Sequence, residues 1–265
     1  PVQPRIKDAR REEVEYLWFV GDYASYHASM VDKTVSMAQF FQSIDLDFGL
    51  LYDAERNSGN DVRRVGEEGL YEMLVEKNLL ALSKSRFKTI ITSDPHSYNS
   101  IKNEYSENGN DHYEILHYSQ LFDQVISSGQ IKISSKLSLT VTYHDPCYLG
   151  RYNGEYEAPR RVMDALGCQL VEMPRNRENT FCCGAGGGRI WMEDPPEISE
   201  RPAESRVKEA ASLPGVTTLV VTCPKDLVMF QDAVKTAGIE DQLVVKDLLE
   251  LVVDAVEMDD HKEEE

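Results

Sequence analysis

Five cysteines occur in this sequence, and all of them lie between positions 147 and 223. Cys147 sits in HDPCYLGR, Cys168 in GCQLVEM, Cys182 and Cys183 in FCCGAGGGR, and Cys223 in TCPKD. An odd number crowded into one half is poor material for a secreted disulfide framework. It suits a metal site in a reducing compartment, so the expected location is the cytoplasm. Thiolates select zinc, copper(I) or iron–sulfur clusters. A zinc finger would show C-x-x-C pairs within a compact span, and no such pair occurs. Adjacent Cys182 and Cys183 point in diverging directions, which is awkward around one small tetrahedral ion and manageable around a cluster several ångströms across. Gly184, Gly186, Gly187 and Gly188 would let the backbone come close and aim N–H groups at sulfide or thiolate. The reading is an iron–sulfur cluster on Cys147, Cys182, Cys183 and Cys223, with zinc or no metal as the alternatives.

The neighbouring residues carry weaker signals. GAGGG has no following Lys-Ser/Thr, and Arg189 is no Walker lysine, so a phosphate loop is disfavoured. Cys223 lacks the partner thiol of a thioredoxin-like C-x-x-C, with Asp226 standing there instead. Cys168 opens an apolar strand pattern and reads as a small core residue. His144 and Asp145 either orient the Cys147 loop through hydrogen bonds or cap a local turn. Arg151, Arg160 and Arg189 either offset a cluster's negative charge or are ordinary surface residues. Trp18 and Trp191 are expected in the core or shielding the cluster.

The elements that must position these residues alternate in type. Apolar or period-2 runs at 17–21, 48–52, 89–92 and 113–117 are interleaved with helical patterns up to 41, over 61–82, after Pro95 and over 121–126. The second half repeats the order. Its strands are expected at 137–143, 169–173, 219–222 and 243–245, its helices at 158–166, 199–212, 227–234 and 248–256. The last helix is the plainest, with Leu248, Val252 and Val256 on one stripe. The fold class that follows is α/β, two tandem βα-repeat domains with mostly parallel sheets related by internal duplication. The boundary is expected at the polar stretch near 131, giving domains 1–131 and 132–257 and an acidic tail 258–265. In such units ligand sites gather at loops beyond the carboxyl ends of the strands, and Cys147, Cys182–Cys183 and Cys223 are all expected there.

Composition narrows the class further. At 265 residues the chain has room for two compact units. Its formal charge of −18 repels phosphate backbones, which disfavours nucleic-acid binding. No apolar run is long enough to span a bilayer. Opening on Pro1 rather than Met, the sequence reads as a piece of something longer.

The strings YHDPCYLGR, MPRNRENTFCCGAGGGRIWME and VTCPKD resemble the cysteine-rich CCG domain of heterodisulfide reductase-like iron–sulfur proteins. That resemblance covers nearly the whole chain and implies two repeats of a C…CCG…CPxC pattern, each binding a [4Fe–4S] cluster where intact, in some members of non-cubane form. Asp22 to Asn57 and Cys147 to Cys182 are both separated by 35 positions. In this register the first repeat has Asp22, Asn57-Ser58-Gly59 and Asp94-Pro95-His96-Ser97 where cysteine motifs belong, so its site is expected to be without a cluster. Polar filling of that pocket is the expectation, with a hard cation between Asp22 and Asp94 as the alternative. The second repeat keeps four of five cysteines, with Asp226 at the fifth. One [4Fe–4S] cluster is implied, cubane or non-cubane, with the Asp226 carboxylate as a candidate fifth donor. The single-cluster type resembles the cytoplasmic domain of electron-transferring flavoprotein:menaquinone oxidoreductases. It implies an oxidoreductase component taking electrons from a flavoprotein or ferredoxin-like module and passing them to a membrane cytochrome/quinone module. The alternatives are a thiol- or disulfide-reducing protein and a non-redox zinc-binding or docking domain.

Overall fold

The computed structural model describes residues 5–105, 113–195 and 197–256. The expected acidic tail 258–265 lies outside the described residues.

Two parallel sheets form the frame. The first holds β1 (Lys7–Asp8), β2 (Tyr16–Phe19), β3 (Phe48–Leu50), β4 (Thr89–Thr92) and β5 (Glu114–His117) in the order β1-β3-β2-β4-β5. The second holds β6 (Thr140–Tyr143), β7 (Gln169–Leu170), β8 (Thr218–Val221) and β9 (Val244–Asp247) in the order β7-β6-β8-β9. Every pairing between these strands is parallel. The central strands β4 (TIIT) and β8 (TLVV) are buried along their whole length, as β-branched strands covered by helices on both faces must be.

Setting β1 aside, the two sheets have one topology, and local details repeat with it. Strands β5 and β9 each run directly into a helix, α6 (Tyr118–Ser127) and α10 (Leu248–Ala255), both opened by a reciprocal capping box. His117 and Gln120 make the first and Asp247 and Glu250 the second. Strands β4 and β8 each lead through a cap residue and a proline into α5 (Pro95–Asn99) and α9 (Pro224–Thr236). Asp94 caps the former through His96 N–H, and Cys223 stands at the same position before the latter without a side-chain cap bond. Duplication is therefore visible in topology and in the chemistry of the helix starts.

Several expected elements differ in extent. The helix expected over 61–82 is two, α3 (Asn60–Arg64) and α4 (Glu68–Ser83), because Gly66 adopts φ +93° and ends the first. The strand expected over 169–173 pairs only at Gln169 and Leu170. The helix expected from 199 begins at Pro202, a residue suited to the first helical position, and forms α8 (Pro202–Ala211). The short edge strand β1 had no periodic signal. The remaining helices are α1 (Asp22–Tyr26), α2 (Val31–Ser43) and α7 (Glu157–Ala165).

The polar stretch near 131 is anchored at both apolar positions. Ile131 is buried, and Ile133 bridges antiparallel to Val256. One apolar cluster also crosses between the sheets, joining Trp18, Phe40, Phe41 and Phe122 to Val141, Val162, Leu248 and Val252. The two repeats are packed into a common core, so the loops at their carboxyl ends face each other.

Candidate metal centre

Each loop carrying a thiol is fixed by hydrogen bonds close to the sulfur. After β6, His144 N donates to Val220 O at 3.0 Å, holding the start of the Cys147 loop against β8. Buried Asp145 accepts from Arg160 Nη1 at 2.7 Å and Nη2 at 3.0 Å, and from the Arg177 backbone N–H at 2.7 Å. One carboxylate thus ties the Cys147 loop to the segment leading into Cys182 and Cys183. In that second loop Gly184 N donates to Cys182 Sγ at 3.3 Å and Ala185 N to Cys183 Sγ at 3.4 Å. Gly184 has φ +88°, a conformation that favours glycine. Cys223 lies two residues beyond β8 at the N-cap of α9, which turns Asp226 in the first helical turn back toward the same place.

The thiols interact with one another. The Cys182 sulfur accepts from the Cys147 and Cys183 thiols and from Gly184 N–H, which holds it well below the usual thiol range. Donation to Cys182, together with burial, pushes Cys147 and Cys183 up. Burial raises the Cys223 thiol, and the Asp226 carboxylate adds to this. Asp226 itself is buried and pushed up to about 7 by desolvation, while a hydrogen bond with Cys183 opposes that shift. Among the described residues, the triple of ligand atoms lying within 4.8 Å of one another is Asp94, His96 and Cys223, not three of the thiols.

Behind the thiols lies a polar support. The buried Arg206 donates from Nε to His144 Nδ1 at 3.1 Å, which leaves the ring proton on Nε2. His144 Nε2 stands 3.6 Å from Asp226 Oδ2, an oxygen with no hydrogen-bond partner. Desolvation holds His144 well below its ordinary range, so it is neutral. His144 thus lies behind Asp226. Arg206 carried no sequence signal, since nothing in its helical stripe distinguishes it from a surface arginine.

The other expectations divide. Gly186 and Gly187 have open space where a Cβ would be, beside the paired thiols, whereas Gly188 faces Val65 of the first repeat. Cys168 is buried in the shared apolar core. Arg151 is turned to the Glu178 and Thr180 carbonyls, Arg160 to Asp145 and Glu172, and Arg189 to Asp194 and the Glu193 carbonyl. Trp18 is core, but Trp191 is 55% exposed. Trp191 leaves the core because its Nε1 donates to Asp61 Oδ2 at 2.9 Å and its ring lies against Tyr23, so it spans the two repeats at their surface.

In the first repeat the residues at the motif positions meet. Asp22 accepts from Ser58 N and Ser58 Oγ, both at 2.6 Å, and Asp22 N donates to Asp94 Oδ2 at 3.3 Å. Gly59 N donates to Asn57 Oδ1 at 2.8 Å, the same turn that Gly184 N makes with Cys182 Sγ. The pocket holds polar side chains, of which His96 Nε2 has no hydrogen-bond partner among the described residues. Lys225 is a further residue that motif reading passed over. Its Nζ is buried and lies 2.8 and 2.7 Å from the two Asp61 oxygens of the first repeat. Its place between Cys223 and Asp226 was the available signal, because the first turn of that helix must face the site.

A two-sheet α/β frame carries these thiols on three loops. Residues 141–231 match the family CCG, the cysteine-rich domain. The chain is 38% identical over 256 residues to the probable iron-sulfur-binding oxidoreductase FadF of Bacillus subtilis, covering 96% of this chain and 36% of that protein. It is 35% identical over 250 residues to the EtfAB:quinone oxidoreductase of Syntrophomonas wolfei, covering 93% and 35% respectively. It is also 29% identical over 263 residues to a component of the dihydromethanophenazine:CoB--CoM heterodisulfide reductase of Methanosarcina mazei, covering 96% and 62%. The chain spans about a third of the length of the first two relatives. It carries a CCG cysteine-rich domain, and its relatives are iron–sulfur oxidoreductases of the heterodisulfide reductase type. Among the described residues no helix is long and apolar enough to cross a membrane.

Proposed function

We propose that the chain is the electron-transfer domain of a larger oxidoreductase and holds one [4Fe–4S] cluster on Cys147, Cys182, Cys183 and Cys223. The observation that carries this reading is the convergence of those four thiols, with Gly184 and Ala185 N–H groups already directed at two of the sulfurs. The donor set fits the group: soft sulfurs in number, with backbone dipoles that stabilise their negative charge. The orphaned Asp226 Oδ2 beside Cys183 makes this carboxylate the natural fifth donor. When bound, the cluster supplies one-electron storage. The protein's residues hold it, and Arg206 and His144 position Asp226. The donor is a flavoprotein or ferredoxin-like module and the acceptor a quinone-linked membrane module, so the domain works at the cytoplasmic face of a membrane. Similarity to an EtfAB:quinone oxidoreductase supports this pairing.

Anaerobic reconstitution with iron and sulfide, followed by metal analysis and EPR, tests the reading. About four irons per chain are expected, with Cys147→Ser and Cys223→Ser each losing most of them. Zinc alone, or iron binding that survives both substitutions, overturns it.

A further inference from the structure

The first repeat has lost its cysteines, yet its side chains reach the second repeat's thiol. Asp94 and His96 place ligand-type atoms within 4.8 Å of one another and of Cys223, and all three residues are buried. Lys225, two residues after Cys223, is 1% exposed and pairs with Asp61, which also accepts from Trp191. The buried Lys225 ammonium is held charged by Asp94 and Asp61 of the first repeat, and it opposes the effect of the Asp226 and Asp94 carboxylates on the Cys223 sulfur. A buried cation beside a redox-active thiolate favours the more negative, reduced state of whatever that thiolate holds. Nothing in binding four sulfurs requires a lysine there, and a buried ammonium is costly unless it is paired.

We propose that Lys225 and Asp61 are a potential-setting pair: Lys225 raises the reduction potential at Cys223, and Asp61, contributed by the degenerate repeat, limits how far. This rests on the cluster reading above. Reduction brings one electron from an outside donor and adds one negative charge at the site, with no bond made or broken in the protein. Lys225 stabilises that added charge. The degenerate repeat thereby acts as the inner electrostatic wall of the intact one, with Asp94 and His96 completing the wall against Cys223.

The experiment is a spectroelectrochemical titration of the reconstituted chain and of Lys225→Gln, Asp61→Asn, the double variant and Lys225→Arg. Lys246→Gln, which removes an exposed cation paired with Asp254, serves as control. The midpoint should move negative in Lys225→Gln and positive in Asp61→Asn. It should return toward wild type in the double variant and stay near it in Lys225→Arg and Lys246→Gln. Shifts of the same sign in both single variants would report loosening of the site and overturn the pair's role, as would two midpoints equal to wild type. If Lys225→Gln does not fold, the sign of the Asp61→Asn shift decides alone. A wild-type chain that assembles no cluster overturns the cluster reading itself, a result distinct from an assembled cluster with unmoved midpoints.

Discussion

Replacing Asp145 should loosen two ligand loops at once. Its side chain is 1% exposed and accepts three hydrogen bonds, two from the Arg160 guanidinium and one from Arg177 N–H. Bonds involving a charged partner contribute about 1.5–3 kcal/mol each, less where they share one ion pair. Asp145→Ala would not strand Arg160 completely, because Glu172 still meets its Nε at 2.7 Å and its Nη2 at 3.0 Å. The expected loss is therefore about 3 kcal/mol, at the lower edge of the ~3–5 kcal/mol for breaking a buried pair outright. Asp145→Asn, which keeps an acceptor for Arg177 N–H, should lose about 2 kcal/mol. Glu172→Gln, at a half-buried rim, should lose about 1 kcal/mol.

Urea unfolding of the cluster-free chain gives these numbers directly. At a slope of about 3 kcal/mol per molar, Asp145→Ala moves the midpoint down by roughly 1 M without changing the slope. Because Asp145 precedes Cys147 by two positions and holds the backbone five positions before Cys182, the same variant should also retain much less iron after reconstitution. A midpoint within 0.2 M of wild type, a rough threshold set by the scatter of such extrapolations, would refute the energetic argument. A destabilised variant with full iron would refute the claim that this carboxylate aligns the ligand loops.

Cys168→Ala should cost about 1 kcal/mol in unfolding and leave iron content at the wild-type value, since that thiol belongs to the shared apolar core. Gly188→Ala should destabilise by about 2 kcal/mol: its φ of +76° resists a side chain, and the new Cβ would lie 2.7 Å from Val65 Cγ1. Adding Val65→Ala should recover only the clash, which calorimetry of the single and double variants separates. Burial pushes buried His117 down to about 3 from an ordinary 6.5. Folded and unfolded chains therefore bind the same number of protons at this residue above 6.5, and stability is lost as pH falls from 6.5 toward 3. The slope reaches about 1.4 kcal/mol per pH unit. Between pH 7 and 5 wild type should lose about 2 kcal/mol more than His117→Asn, which keeps a cap for α6; parallel urea midpoints for the two would contradict this.

The alternation of apolar and helical patterns was enough to place strands and helices, because buried parallel strands such as TIIT and TLVV have no polar face to blur them. Ends were harder. Gly66 splits one amphipathic run into two helices through its backbone conformation, which an apolar count does not register. The two-residue strand β1 is defined by its partner β3 rather than by its own residues. The stretch near 131 reads as a linker by composition, yet Ile131 and Ile133 are enough to bind it to the common core.

The same division runs through the site. Thiols were legible because cysteine is scarce and Cys147 and Cys223 follow closely on β6 and β8, so loop position and chemistry agree. Lys225, Asp61, Arg206 and Trp191 were not, since each belongs to a residue type found everywhere on a surface and acquires its role only when the repeats face each other. Asp61 is 164 positions from Lys225, and no spacing rule links them. The 35-residue register did expose the first repeat's motif positions, and Asp22, Ser58 and Asp94 do meet. What the register could not show is that Asp94 and His96 lie against Cys223 as well. A motif that has lost its ligands still has a place in the frame, and in a duplicated fold with one shared core that place is beside its surviving twin. Substitution there acts on the neighbouring thiol whether or not the first pocket ever binds anything.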